Sequence, residues 1–195
     1  MYVTDDMIAE MQARFGRPAH KSFRFETPEF DYIRSTQTNG RNHDVTIYMV
    51  KDGKVAVIAK HFYPPDLYRA PSGGLKPGEN FITGTKREMR EEIGCDIEPE
   101  RFLLTTSVDF IRQGIKADIP DENDIIHWRS FVFLARYLSG DFRFTDKREI
   151  RGVRLADWSE FDGFCRTMRT LSKGGFHYRA ALHEAVMDTL QKKTG

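Results

Sequence analysis

Residues 87–94, REMREEIG, set five formal charges among eight residues and interrupt them with Met89 and Ile93. They lie in a chain of 195 residues whose 30 basic and 29 acidic side chains leave a net charge of +1. That balance gives no global field to attract nucleic acid or an anionic membrane, so any phosphate chemistry must come from local clusters. On a helix, at 100° per residue, Glu91 and Glu92 fall within about 60° of Glu88. Carboxylates one turn apart repel by roughly 0.2–0.5 kcal/mol per pair. Something has to offset that repulsion. Arg87, one turn before Glu91, is expected to pair with it and to leave the other glutamates free. A divalent cation is the second natural answer, because Mg²⁺ prefers carboxylate oxygens and keeps waters that a phosphate can share or replace.

Working outward, Ile82, Thr85, Met89 and Ile93 recur every three or four residues, which predicts a helix over 81–93 with these four in its buried stripe. Asn80 is a good N-cap for it. Gly84 is unfavourable inside a helix by about 1 kcal/mol relative to Ala. It lies one turn before Glu88, where a missing side chain lets the preceding loop approach. That loop, PSGGLKPGE (71–79), has glycines that allow its backbone to pass close to a cation or a phosphate.

The flanks read as strands. HDVTIYMV (43–50) and KVAVIAKHF (54–62) are β-branched and aromatic, and the Asp-Gly of KDGK between them predicts a tight hairpin. RFLLTTSVDF (101–110), IIHWRSFVFLARYL (125–138) and IRGVRLADW (150–158) are further strand candidates, the first two separated by the polar segment 112–124. Near the N-terminus, Thr4 should cap a helix to about Phe15, followed by two extended segments, KSFRFET (21–27) and FDYIRST (30–36). A last helix is expected from about Tyr178 to Lys192, with Leu182, Ala185, Val186 and Leu190 on one side. Strands and helices without regular alternation indicate an α+β fold with helices packed on a central sheet. With 39% apolar residues, including 15 Phe, the core can be sizeable. Only Cys95 and Cys165 occur, with no CxxC pair, which argues against a disulfide scaffold or a zinc site. Cys165 is expected in the core. His177 and the pair His183-Glu184 do not form HExxH and are assigned no metal. The acidic start and the lack of a long apolar run lead to the expectation of a cytoplasmic protein.

Gly73, five residues, Glu79, seven residues, then Arg87-Glu88-Met89-Arg90-Glu91-Glu92-Ile93-Gly94-Cys95 resembles the Nudix box, G-x5-E-x7-REUxEExGU, with U an apolar residue. All nine defined positions match over 23 residues, Cys95 serving as the last U. The resemblance implies an α/β/α sandwich with a mixed central sheet, spanning 44–195, with residues 1–43 as an N-terminal helix and strand extension. It also implies roles. The Gly73 equivalent offers a carbonyl to a metal, Mg²⁺ or in its place Mn²⁺, and the Glu88, Glu91 and Glu92 equivalents supply carboxylates. The Glu79 and Arg87 equivalents hold the loop and helix together. Family members often add an acid before a late strand, and Glu149 stands in that kind of position as a metal ligand or base, with pairing to Lys147 or Arg151 as its plainer role. Asp121, Glu122 and Asp124 are the rival acids, and their segment could instead be a mobile substrate loop.

By resemblance, the activity is hydrolysis of a diphosphate linkage in a nucleoside diphosphate derivative, Glu91, Glu92 and Glu149 being the catalytic candidates. The stretch 56–79 is similar to the approach to the box in the ADP-ribose and nucleotide-sugar pyrophosphatase branch, whose N-terminal sheet often builds a homodimer. Two positions depart from that branch: Lys76 stands where an acid is usual, and a proline beyond the box is replaced within DFIR (109–112). Arg69 and Lys76 are candidates to neutralise phosphate. Tyr63, Tyr68, Phe110 and Trp128 are candidates to stack a base, with core packing as the alternative. Other classes are a nucleotide-binding regulatory module, which would more often have lost a glutamate, and a hydrolase of dinucleoside polyphosphates or nucleoside triphosphates. An isopentenyl diphosphate isomerase would use a cysteine ahead of the box, and none precedes Cys95.

Overall fold

The computed structural model describes residues 3–37, 40–115 and 121–192. The middle of the polar segment, 116–120, lies outside the described residues. Seven strands form one mixed sheet in the order β1-β5-β6-β2-β3-β7, with β4 added to β2. The strands are β1 (Ala19–Thr27), β2 (His43–Lys51), β3 (Lys54–Lys60), β4 (Ser72–Gly73), β5 (Cys95–Arg112), β6 (Ile125–Gly140) and β7 (Ile150–Ala156). Side chains alternate across it because consecutive strand residues face opposite ways. Val45, Ile47 and Met49 of β2 join one core cluster with α1 (Asp5–Phe15) and α3 (Phe81–Ile93), whereas Tyr48 joins the other with α4 (Glu160–Thr170) and α5 (Gly174–Gln191). Two helical layers therefore sandwich the sheet.

The hairpin forms as the sequence indicates, with Asp52 at φ 52° and Gly53 at φ 78°, the left-handed pair that a two-residue turn requires. Past that turn, β2 and β3 pair only at Val50–Val55 and Lys51–Lys54 and then part. The segment 69–73 fills the opening: Arg69 bridges Ile58, Ile47 donates to the Pro71 carbonyl, and Gly73 pairs with Val45. The glycine loop is thus built into the sheet and aimed at α3.

Three expectations need correcting. FDYIRST is not extended: Phe30–Ser35 forms a helix, α2, because the spacing of three between Phe30 and Ile33 prevails over the alternation of Phe30 and Tyr32. Phe30 is 1% exposed and Tyr32 62%. The N-terminal segments therefore build no sheet of their own, and β1 is a parallel edge strand on β5. The set of helices expected from sequence also lacked α4, whose buried Phe161, Phe164, Cys165 and Met168 recur at helical spacing. The last helix begins at Gly174 rather than Tyr178, since Phe176 and Tyr178 are both buried on the second core cluster.

Candidate active site

The site is assembled where β4 and its following loop meet α3. Asn80 caps the helix, its Oδ1 accepting from the N–H groups of Ile82 at 3.0 Å and Thr83 at 3.3 Å. Thr85, Met89 and Ile93 are buried as expected, with Phe81 fully in the core and Ile82 only packed against its edge. On the opposite side, a Cβ at Gly84 would lie 2.4 Å from Leu75 Cδ2 and 2.7 Å from Glu79 Oε2. Absence of a side chain there lets the loop lie on the helix. Gly73 is tighter still, because a Cβ would come 2.0 Å from Glu88 Cδ. The backbone of the loop and the carboxylate of the helix share one space that only glycine leaves open.

Arg87 organises the rest. Its five N–H donors are all engaged: Nε and Nη2 with Glu79 at 2.9 Å each, Nη2 also with the Gly74 carbonyl at 3.1 Å, and Nη1 with Glu88 at 2.8 Å and Glu91 at 2.9 Å. The expected pairing with Glu91 is present, but Glu88 is not left free of it. Glu79 also accepts from Lys76 N–H at 2.8 Å, and Arg87 holds its carboxyl below the usual range. Through these bonds Glu79 and Arg87 tie the 74–79 loop to α3.

Glu92 and Glu88 differ from the outer glutamate. Burial pushes the Glu92 carboxyl up to about 7, against the opposing pull of Arg69 and Lys60. Its Oε2 accepts from Ser72 N–H at 2.9 Å, and its Oε1 lies 4.0 Å from Arg69. Burial also raises Glu88, against Arg87. Glu91 is nearly half exposed. A positive charge placed beside such a buried carboxylate favours its ionised form.

Glu149 reaches this cluster through Lys60, not Lys147 or Arg151. Lys60 donates to its carboxylate and holds it below the usual range, while Arg151 donates to the carbonyls of Tyr63 and Pro64. The end of α3 fixes the loop that carries Glu149: the Glu91 carbonyl accepts from Thr145 N–H at 3.0 Å and Asp146 N–H at 3.1 Å. The rival acids have other partners. Asp121 caps its own turn at Asn123, Glu122 meets His127, and Asp124 pairs with Arg112.

The substrate candidates fare unevenly. Arg69 is buried, donating to Tyr63 Oη at 2.8 Å, the Ala70 carbonyl at 2.7 Å and Ser72 Oγ at 2.9 Å, so it reaches the site from beneath. Lys76 gives the site its backbone N–H and keeps its side chain on an exposed turn. Phe110, 4% exposed, packs edge-on to Tyr178, and Trp128, 8% exposed, lies beneath Arg41. Neither ring offers a ligand an open face. Three contributors were not singled out from sequence. Lys60 needed the fold to bring β3 beside the loop of Glu149. Arg41 packs on Gly74 and adds positive charge toward Glu88 and Glu149. His43, held neutral by burial with its pKa lowered to about 4, accepts from Leu75 N–H at 3.2 Å through Nε2. A lysine, an arginine and a histidine outside any motif carry no sequence signal of these roles.

The NUDIX domain family matches residues 40–175. The chain belongs to the Nudix family. As a Nudix hydrolase it is a pyrophosphohydrolase, of a family that works with divalent metal ions. Among solved structures, a UDP-X diphosphatase is similar at 16% identity over 84% of this chain and 71% of that one, with a TM-score of 0.53. A NUDIX hydrolase from Nitrosomonas europaea is similar at 21% identity over 78% of this chain and 89% of that one, TM-score 0.50. At such identities the likeness is one of fold. No curated protein matches the sequence. Among the described residues no helix is long and apolar enough to cross a membrane.

The donor set fits a hard divalent cation: carboxylate oxygens of Glu88, Glu91 and Glu92 beside Gly73, whose Cβ space Glu88 fills. Among the described residues no three His, Cys, Asp or Glu side chains are already drawn around one point. Glu88 and Glu91 are turned instead onto Arg87, Glu92 toward Arg69, and Glu149 onto Lys60.

Proposed function

We propose that this Nudix hydrolase cleaves the diphosphate linkage of a nucleoside diphosphate derivative, of the nucleotide-sugar or ADP-ribose type. The observation that carries the reading is the placement of buried Glu92 and partly buried Glu88 on one helix face, with Gly73 lying directly against Glu88. The residues that would hold Mg²⁺, or Mn²⁺ in its place, are Glu88, Glu91 and Glu92 with the Gly73 backbone and Glu149. Such an ion, when bound, screens the polyanion and makes a water easier to deprotonate. Arg87 fixes the helix glutamates in orientation, and Glu79 fixes Arg87. Lys60 and Arg69 present positive charge to a diphosphate lying along the loop. Glu149, kept ionised by Lys60, is poised to accept the proton of the attacking water. The nucleotide-sugar branch is supported by the stretch 56–79 and by the shared fold of the UDP-X diphosphatase. In the same reading the edge strand β1 is the candidate dimer element.

The test is a panel of ADP-ribose, nucleotide sugars, dinucleotides and nucleoside triphosphates incubated with the protein and Mg²⁺. One of the first two classes should turn over fastest, and Glu92→Gln should lose most of that turnover. Full activity of Glu92→Gln in saturating Mg²⁺ would overturn the assignment.

A further inference from the structure

A cavity of about 180 Å³ adjoins the carboxylate cluster, and Lys60 and Arg69 form the wall between the two. The same Lys60 donates to Glu149 and the same Arg69 lies 4.0 Å from Glu92. On its far side the cavity is lined by aromatic rings. Tyr32 from α2 is 62% exposed and Phe62, just after β3, is 60% exposed. Among the described residues only Leu138 is also a large exposed apolar side chain, so two of the three line this one cavity. Phe176 of α5 stands behind Phe62, ring centroids 6.4 Å apart. Glu29, one-fifth exposed and 3.3 Å from Lys173, supplies an acceptor at the rim. Tyr32, Glu29 and Phe176 all lie outside the residues 40–175 that match the family, so α2 and α5 add this wall to the common domain.

We infer that this cavity binds the nucleobase of the substrate, stacked against Tyr32 and Phe62, with the phosphates passing Lys60 and Arg69 to the carboxylates. The size agrees. Pockets that bury a whole drug-sized ligand run to about 300–1,000 Å³, so this cavity takes a single ring system and leaves the rest of the molecule outside. The charge agrees as well, since Lys60 and Arg69, which meet Glu149 and Glu92, share the lining with Tyr32 and Phe62. Glu29 accepts from a ribose hydroxyl or from a ring N–H. The inference rests on the diphosphate-hydrolase reading of the adjoining carboxylates.

The test is binding, not turnover. AMP, UMP and the base-free ribose 5-phosphate are titrated calorimetrically into the wild type, Phe62→Ala and Tyr32→Ala. Both rings are mostly exposed, so the variants keep the fold, which circular dichroism checks. Loss of a stacking ring should weaken AMP and UMP about tenfold or more, with ribose 5-phosphate affected equally little in all three proteins. Equal nucleotide affinity in wild type and both variants overturns the inference. So does failure of AMP and UMP to bind the wild type, or a loss for ribose 5-phosphate as large as that for the nucleotides. If the rings matter for AMP while no diphosphate is hydrolysed, the cavity assignment stands and the reaction is the part that fails. If hydrolysis proceeds and the rings do not matter, the cavity assignment alone falls.

Discussion

Glu92→Gln separates the demands of catalysis from those of folding. Glu92 is buried, and burial lifts its carboxyl from an ordinary 4.5 to about 7. Between those two pH values the folded chain holds a proton on Glu92 that the unfolded chain has released. Stability from this group is therefore fully present below pH 4.5 and is lost as pH rises through 7, a sign opposite to that of a salt-bridged surface acid. Ionisation in the absence of a divalent cation accordingly costs about 3 kcal/mol above pH 7. Glutamine keeps the volume, keeps an acceptor for Ser72 N–H, and removes the charge. In EDTA at pH 8.5 the variant should be more stable by up to about 3 kcal/mol, a rise in Tm on the order of 6–12 °C for a chain of this size. The advantage should shrink as the pH is lowered through 7 and close toward 4.5. Mg²⁺ should stabilise the wild type through binding to the folded state, and the variant much less. Guanidinium denaturation across that pH range, with and without Mg²⁺, measures all of this. A variant less stable than the wild type at pH 8.5, or an advantage independent of pH, would refute the reasoning.

Gly73→Ala sets a Cβ 2.0 Å from Glu88 Cδ, so the carboxylate must move; kcat should fall at least tenfold while Tm changes by only a few degrees. Arg87→Ala frees Glu79, Glu88 and Glu91 together and should destabilise the fold by about 2–4 kcal/mol, read by denaturant midpoint. A cycle with Glu91→Gln should show non-additivity, because the pair is in direct contact at 2.9 Å. Glu149→Gln should lower kcat about 10²–10⁴-fold with KM little changed, whereas neutralising Asp121, Glu122 or Asp124 should leave kcat near the wild-type value; the opposite pattern would move proton acceptance into that segment.

The sequence by itself determined the helix that carries the glutamates, its Asn80 cap and the Arg87–Glu91 pair. Each depends on residues at most four apart, where helical geometry and local hydrogen bonding decide the outcome. The hairpin at Asp52-Gly53 was legible for the same reason. Local reading went wrong at residues 30–35, where Phe30 and Tyr32 mimic a strand and only contact with the core shows which of them is buried. Tertiary structure alone decided what surrounds the glutamates. Ser72 reaches Glu92 across twenty residues of sequence, and Lys60 reaches Glu149 across eighty-nine. The first meeting follows from the parting of β2 and β3 and the insertion of 69–73 between them, the second from the antiparallel pairing of β3 with β7, which sets Lys60 opposite Ile150. No pattern in the chain marks Lys60, Arg41 or His43, because a charge acquires its meaning from the low-dielectric place where the fold sets it.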